Sequence, residues 1–105
     1  MTKVVFFADN SRLCGFEISG HSSVSETDTE GKILCSAISS AAYMTANTIS
    51  EIIGDSIDAD VKDGYMKIFV KNASEASQKV LEGFSLHISE LKKQNETRIT
   101  TYTEV

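Results

Sequence analysis

The chain lacks proline and tryptophan, and it has only two cysteines, Cys14 and Cys35, among its 105 residues. Two cysteines are too few for the disulfide framework of a small secreted domain. The N-terminal residues 1–7 show no signal-peptide cleavage pattern, and no apolar run approaches the roughly 20 residues that a membrane span needs. We therefore expect a cytoplasmic protein whose cysteines remain thiols, without a membrane partner.

Basic residues are also scarce, since ten Lys and Arg stand against fifteen Asp and Glu, for a net charge of −5. A chain without a basic stripe has little to offer a phosphate backbone, so we expect no direct contact with nucleic acid. A basic protein is an electrostatically compatible partner.

Hydrophobic periodicity predicts seven elements in the order β-β-α-β-β-α-β. The predicted strands are 4–7, 13–19, 57–61, 65–70 and 98–103. The first predicted helix is 33–53, and the second begins after a cap formed by Asn72 and Glu75. Hairpins imply a mainly antiparallel sheet, and both helices can cover one face of it. The expected fold is a two-layer α+β sandwich that forms a single domain over residues 1–105.

The second predicted strand and the segment after it suggest different environments for their residues. Strand alternation places Cys14 on the same face as Phe16 and Ile18, which predicts a core position for this thiol. Residues 22–32 are small, polar and acidic without periodicity, which predicts a mobile surface loop.

A histidine and a cysteine flank this loop, His21 just after the strand and Cys35 in the first turn of the predicted helix. A helix N-terminus favours a thiolate, and an imidazole within reach can act as its base. The ordinary alternatives are a surface loop histidine and an inert buried cysteine. His87, at the flank of the second helix's apolar face, is expected to be structural.

No cofactor or metal site is predicted. The four Cys and His residues lack the close ligand pair of structural zinc sites, and the acidic residues 55–63 lack the spacing of a calcium loop. The six glycines are scattered and do not form a phosphate-binding loop.

Four places in the chain carry the motifs of one family. These are Gly20 and His21 after a strand, the motif Cys35–Ser39 at the start of a long helix, Asn47 further along that helix, and residues 63–65 at a hairpin. In these four places the chain resembles the Prp family of ribosomal-processing cysteine proteases. The resemblance extends over essentially the whole chain. It implies a cytoplasmic, homodimeric cysteine endopeptidase that removes the N-terminal extension of a basic ribosomal large-subunit protein, protein twenty-seven.

By matching positions, the resemblance implies that Cys35 is the nucleophile, that His21 is the general base and that Ser39 supports them. The family's aspartate three residues before the cysteine is Lys32 here, and this lysine would instead stabilise the thiolate. An acid that orients His21 would have to be Asp28 or Glu30, or be absent. Backbone N–H groups at the helix N-terminus are expected to stabilise the oxyanion, and loop 22–32 to close over the peptide.

Two other functions are compatible with the sequence. One is a non-catalytic binding or assembly module for a basic ribosomal protein. The other is a thiol-based redox sensor, which would need Cys14 as the resolving partner of Cys35.

Overall fold

Five strands and two long helices follow one another in the predicted order. The structure is a computed structural model and describes all residues, 1–105. Its elements are β1 (Thr2–Asp9), β2 (Arg12–Gly20), α1 (Thr29–Asn47), a π-helical segment (Thr48–Ile53), β3 (Ile57–Lys62), β4 (Tyr65–Val70), α2 (Glu75–Gln94) and β5 (Ile99–Glu104). None of its helices combines the length and the apolar character needed to cross a bilayer.

The strands form one sheet in the order β3-β4-β2-β1-β5. Three of the four strand pairs are antiparallel, and β5 joins the edge parallel to β1. A parallel partner needs a crossover, which α2 supplies by carrying the chain from β4 to the far edge. The expected α+β class is confirmed, with a mixed sheet that is mainly antiparallel.

Both helices pack on one face of this sheet around a common apolar core. Phe84 of α2 lies at its centre, with ring centroids 5.8 Å from Phe6 and 4.7 Å from Phe16. Leu34 and Ile38 of α1 are buried in the same cluster. Burial of one helix face anchors α1 on the sheet and thereby determines which of its residues remain accessible.

Helix α1 begins four residues earlier than the periodicity predicts. Asp28 is its N-cap: the Asp28 Oδ1 atom accepts the N–H of Gly31 at 3.1 Å, and the Asp28 carbonyl accepts that of Lys32 at 3.1 Å. The first turn is polar, so no apolar spacing marks it. Cys35 is consequently the seventh residue of the helix and not part of its first turn, which corrects our expectation.

Two further boundaries differ from the prediction. Helix α1 ends at Asn47, and a π-helical segment continues to Ile53, before Gly54 ends it with a φ of 91°. The N-cap of α2 is Ser74, whose hydroxyl accepts the N–H of Ser77, whereas Asn72 lies just before it in the left-handed region. Several polar residues near a helix start compete for the cap, and the turn conformation selects one of them.

Cys14 does not lie in the core, because β2 contains a bulge at this position. Phe7 pairs with Gly15 and Ala8 pairs with Leu13, so Cys14 has no partner in β1. The bulge shifts the alternation of side chains, and Leu13 packs against the core while Cys14 is half-buried outside it. Burial, with a smaller effect of the Asp9 charge, raises the pKa of the Cys14 thiol.

Candidate active site

A cleft of about 290 Å³ lies between α1 and the turn that joins β3 to β4. Helix α1 contributes Cys35, Ser39 and Tyr43 to one wall, and the β3–β4 turn contributes Asp63 and Gly64 to the other. His21, directly after β2, lines the same cleft. The structure thus brings the predicted nucleophile, base and supporting serine together.

A wider groove of about 1090 Å³ lies at the opposite ends of β1 and β2. Its lining includes Cys14, Phe7 and Phe69, and it contains no histidine. A thiol that burial keeps protonated and that has no neighbouring base is a poor nucleophile. The smaller cleft is therefore the candidate active site.

The Cys35 sulfur accepts a hydrogen bond from the backbone. The N–H of Ser22 donates to Cys35 Sγ at 3.1 Å, and Ser22 itself is buried. The Cys35 side chain is half-buried, so its sulfur is covered on one side and open to the cleft on the other. An N–H aimed at sulfur stabilises the thiolate more than the thiol, since the charged acceptor makes the stronger bond.

The imidazole of His21 lies against the β3–β4 turn. A Cβ atom at Gly64 would be 2.9 Å from His21 Nε2, so a side chain at this position would displace the ring. The same turn is tied to the end of β2, because the N–H of Gly20 donates to the Gly64 carbonyl at 3.1 Å. His21 is exposed, and no hydrogen bond joins its ring to Cys35.

Neither acid expected to orient His21 contacts its ring. Asp28 is bound by Arg98, which donates to its two carboxylate oxygens at 2.6 and 3.2 Å. This pair, together with the N–H groups of Val24 and Gly31, holds the pKa of Asp28 well below its usual range. Glu30 is exposed in the first turn of α1.

The charge of Lys32 is also directed elsewhere. Its Nζ atom pairs with Glu26 at 3.2 Å in an exposed ion pair. Exposed pairs of this kind are weak, and this one points away from the cleft, whose lining excludes Lys32. The expectation that Lys32 stabilises the thiolate is therefore not supported by a contact.

Two N-terminal donors of α1 are engaged by the helix cap. The N–H groups of Gly31 and Lys32 are bound to Asp28. Only the first four N–H groups of a helix lack an intrahelical partner, and Cys35 lies beyond them. The N–H group that the structure places on the Cys35 sulfur is that of Ser22, outside the helix.

Tyr65, at the start of β4, also lines the cleft. Its hydroxyl donates to Glu17 at 2.7 Å, and this bond raises the pKa of Tyr65 to about 12. A phenol this weakly acidic remains protonated at neutral pH. No group of three or more His, Cys, Asp or Glu side chains converges in a geometry suited to a metal ion.

Sequence reasoning missed Ser22, Gly64 and Arg98 as parts of the site. Ser22 belongs to a loop whose composition predicts only polarity, and the pattern around Gly64 predicts only a turn. Arg98 is one of two arginines in the chain. That rarity is the only signal in the sequence, because its partner Asp28 lies 70 positions away.

Comparison with known proteins gives a family. The sequence model described as cysteine protease Prp matches residues 1–100. No curated protein matches the chain.

Solved structures share the fold over nearly the full length. The essential ribosomal processing protease Prp from S. aureus, in complex with a covalently linked product peptide, superposes with a TM-score of 0.88 at 16% identity, covering 99% of this chain and 100% of the other. The same protease with a substrate peptide gives 0.87 at 14% identity, with the same coverage. A Streptococcus mutans protein gives 0.81 at 24% identity, covering 98% and 93%. With its family match over residues 1–100, this chain belongs to the Prp family of cysteine proteases.

Proposed function

We propose that this chain is a ribosomal processing endopeptidase that removes the N-terminal extension of a basic large-subunit protein, with Cys35 as nucleophile and His21 as general acid and base. The observation that carries the proposal is the Cys35 sulfur in a cleft that His21 also lines, with the Ser22 N–H on the sulfur. The family match and the S. aureus protease structures support the reaction class.

The first half of the reaction forms a thioester. The Cys35 thiolate attacks the scissile carbonyl carbon, a C–S bond forms, and the carbonyl electron pair moves to oxygen. Protonated His21 donates its proton to the leaving nitrogen as the C–N bond breaks. The covalently linked product peptide on the S. aureus relative supports a covalent route.

The second half regenerates the enzyme. Neutral His21 takes a proton from water, and the resulting hydroxide attacks the thioester carbonyl. The C–S bond then breaks and the electron pair returns to sulfur. The Ser22 N–H, 3.1 Å from Cys35 Sγ, stabilises the thiolate at that point.

His21 acts in this scheme without an orienting carboxylate. Asp28 is held by Arg98, so its oxygens are committed to another partner. The reacting pair is therefore a Cys35–His21 dyad. Its proton-transfer contact forms when a peptide occupies the cleft, as catalytic hydrogen bonds commonly tighten on substrate binding.

The acidic surface favours a basic substrate. A net charge of −5 attracts a basic protein. Long-range attraction of this kind is screened by salt. We expect KM for the ribosomal protein to rise with ionic strength while kcat changes little.

We also propose that the protein acts as a homodimer in the cytoplasm, where its ribosomal substrate is made. Helix α1 exposes Ile33 and Met44, with 64% and 70% of their surface accessible, on the element that carries Cys35. Exposed apolar side chains on one face of a helix commonly mark contact surfaces. Sedimentation equilibrium at micromolar concentration tests this, and a monomeric mass would reject it.

Incubation with the extended ribosomal protein under reducing conditions tests the proposed function. Mass spectrometry should find one cut that releases the N-terminal extension. Cys35→Ala should abolish the cut and His21→Ala should lower its rate by at least about 100-fold. Cys14→Ala, a matched thiol outside the cleft, should cleave normally. Uncut substrate would instead support the binding module, and cleavage by Cys35→Ala would reject Cys35 as nucleophile.

A further inference from the structure

A cluster of polar groups lies directly behind the reactive cysteine. It consists of Thr2, Ser22, Asp28 and Arg98, of which Thr2 and Ser22 are almost fully buried. The side chains of Asp28 and Arg98 are only 11% and 24% exposed. Buried polar groups are costly unless they are paired, and every buried side-chain polar atom of this structure has a partner.

Hydrogen bonds hold Ser22 at its carbonyl, its hydroxyl and its N–H. Its carbonyl accepts Arg98 Nη1 at 2.9 Å, its hydroxyl shares a hydrogen bond of 2.6 Å with that of Thr2, and its N–H donates to Cys35 Sγ at 3.1 Å. The N–H of Thr2 in turn donates to the Arg98 carbonyl at 2.8 Å. Loss of the Arg98 side chain would therefore remove the restraint on the Ser22 carbonyl and loosen the residue whose N–H contacts the sulfur, while Thr2 and the Arg98 backbone carbonyl still hold the Ser22 hydroxyl.

Gly31 provides the space for this arrangement. A Cβ atom at Gly31 would lie 2.5 Å from Asp28 Oδ2, 2.5 Å from the Ser23 Cα and 2.6 Å from Arg98 Nη1. Two of these contacts involve the ion pair and one involves the backbone of the loop. The close approach of loop and ion pair thus requires glycine on the facing side of α1.

The charge of Arg98 also acts on the site. Hydrogen bonding to Asp28 is the main reason why the pKa of Arg98 is raised, and the charges of Asp28, Glu30 and Cys35 raise it further. Arg98 thus links the Asp28 carboxylate to the backbone of Ser22, the residue whose N–H contacts the sulfur.

We propose that Arg98, held by Asp28, is a positioning residue of the active site that fixes Ser22 so that its backbone N–H activates the Cys35 sulfur. The inference rests on the proposed function, in which Cys35 is the nucleophile. In this arrangement Asp28 contributes to the site by holding Arg98, which binds Ser22, and not by orienting His21.

The test measures the reactivity of the thiol and needs no substrate. In a Cys14→Ser background, alkylation of Cys35 by iodoacetamide is followed over the pH range from about 5 to 9. In Arg98→Gln we expect alkylation at pH 7 to slow by roughly tenfold and its pH profile to move to higher pH. Arg98→Lys should restore only part of the rate, because an ammonium lacks the fork that binds Asp28 and Ser22 together.

Arg12 offers a matched control. It also binds a carboxylate and a backbone carbonyl, those of Glu75 and Ala73, but at the far end of β2. Arg12→Gln should leave the alkylation profile unchanged. Asp28→Asn, which retains an oxygen for the helix cap, provides a milder second variant if Arg98→Gln does not fold, and it should shift the profile in the same direction.

An unchanged profile in folded Arg98→Gln, or full rescue by Arg98→Lys, would overturn the positioning role. Failure of the proposed function has a different signature. If the ribosomal protein is not cut but the alkylation profile shifts, the role of Arg98 stands and the substrate assignment fails.

Discussion

The imidazole of His21 rests on Gly64, where a Cβ atom would lie 2.9 Å from Nε2. Gly64 also has a φ of 70°, a conformation that other residues rarely adopt. A glycine of the β3–β4 turn is therefore part of the site as well as of the hairpin, since a side chain there would displace the imidazole of the proposed general base.

Gly64→Ala should displace the His21 ring and lower kcat/KM by at least about tenfold, while the backbone conformation alone costs about 1 kcal/mol of stability. Gly54→Ala separates the two effects, because Gly54 has a φ of 91° and a Cβ atom added there would meet nothing within 4 Å. Urea denaturation should show a similar loss in both variants. Equal loss of activity in both would contradict a specific contact between residue 64 and His21.

The two thiols should differ in reactivity. Burial raises the pKa of Cys14, whereas Cys35 receives the Ser22 N–H. At neutral pH iodoacetamide should label Cys35 at least about ten times faster than Cys14, as peptide mass spectrometry of partially labelled protein can quantify. Equal slow labelling would indicate two inert thiols.

Asp28 should make the folded state sensitive to acid. Its pKa is depressed by Arg98 and by the N–H groups of Val24 and Gly31, while in the unfolded chain it is about 4. The stability gained from this depression is present above about pH 4 and is lost as the pH falls further. Asp28→Asn should be less stable than the parent at pH 7, and the difference should narrow below about pH 4.

Asp55 provides the control for this measurement. Hydrogen bonds from Ser77 and Ser74 lower its pKa as well, but it lies outside the cleft. Asp55→Asn should show the same narrowing at low pH with unchanged cleavage. A stability difference for Asp28→Asn that stays constant with pH would contradict the ionised pair.

Ser39 lies one helical turn after Cys35 and lines the cleft. Ser39→Ala should reduce kcat/KM by a few-fold, the range expected for loss of one hydrogen bond to the bound peptide, without a change in thermal stability. Ser40→Ala is the matched control, since Ser40 is exposed and does not line the cleft. The same activity in both variants would remove Ser39 from the site.

Local patterns were sufficient for the element order and for the Asp63–Gly64 turn, because turn chemistry and apolar periodicity act over a few residues. They failed for the start of α1, where the first turn is polar and its cap depends on the conformation of Asp28. They failed also at Cys14, because a bulge reverses the alternation of side chains without any local signal.

The sequence by itself determined the α+β class, the family and the residues Cys35 and His21 as the proposed reactive pair. The tertiary structure alone decided their surroundings. Gly64 lies against the imidazole, the Ser22 N–H donates to the sulfur, and Arg98 binds both Ser22 and Asp28. The physical reason is distance along the chain. Parallel pairing of β5 with β1 brings Arg98 to residues 70 and 76 positions away, and no local pattern records such a contact.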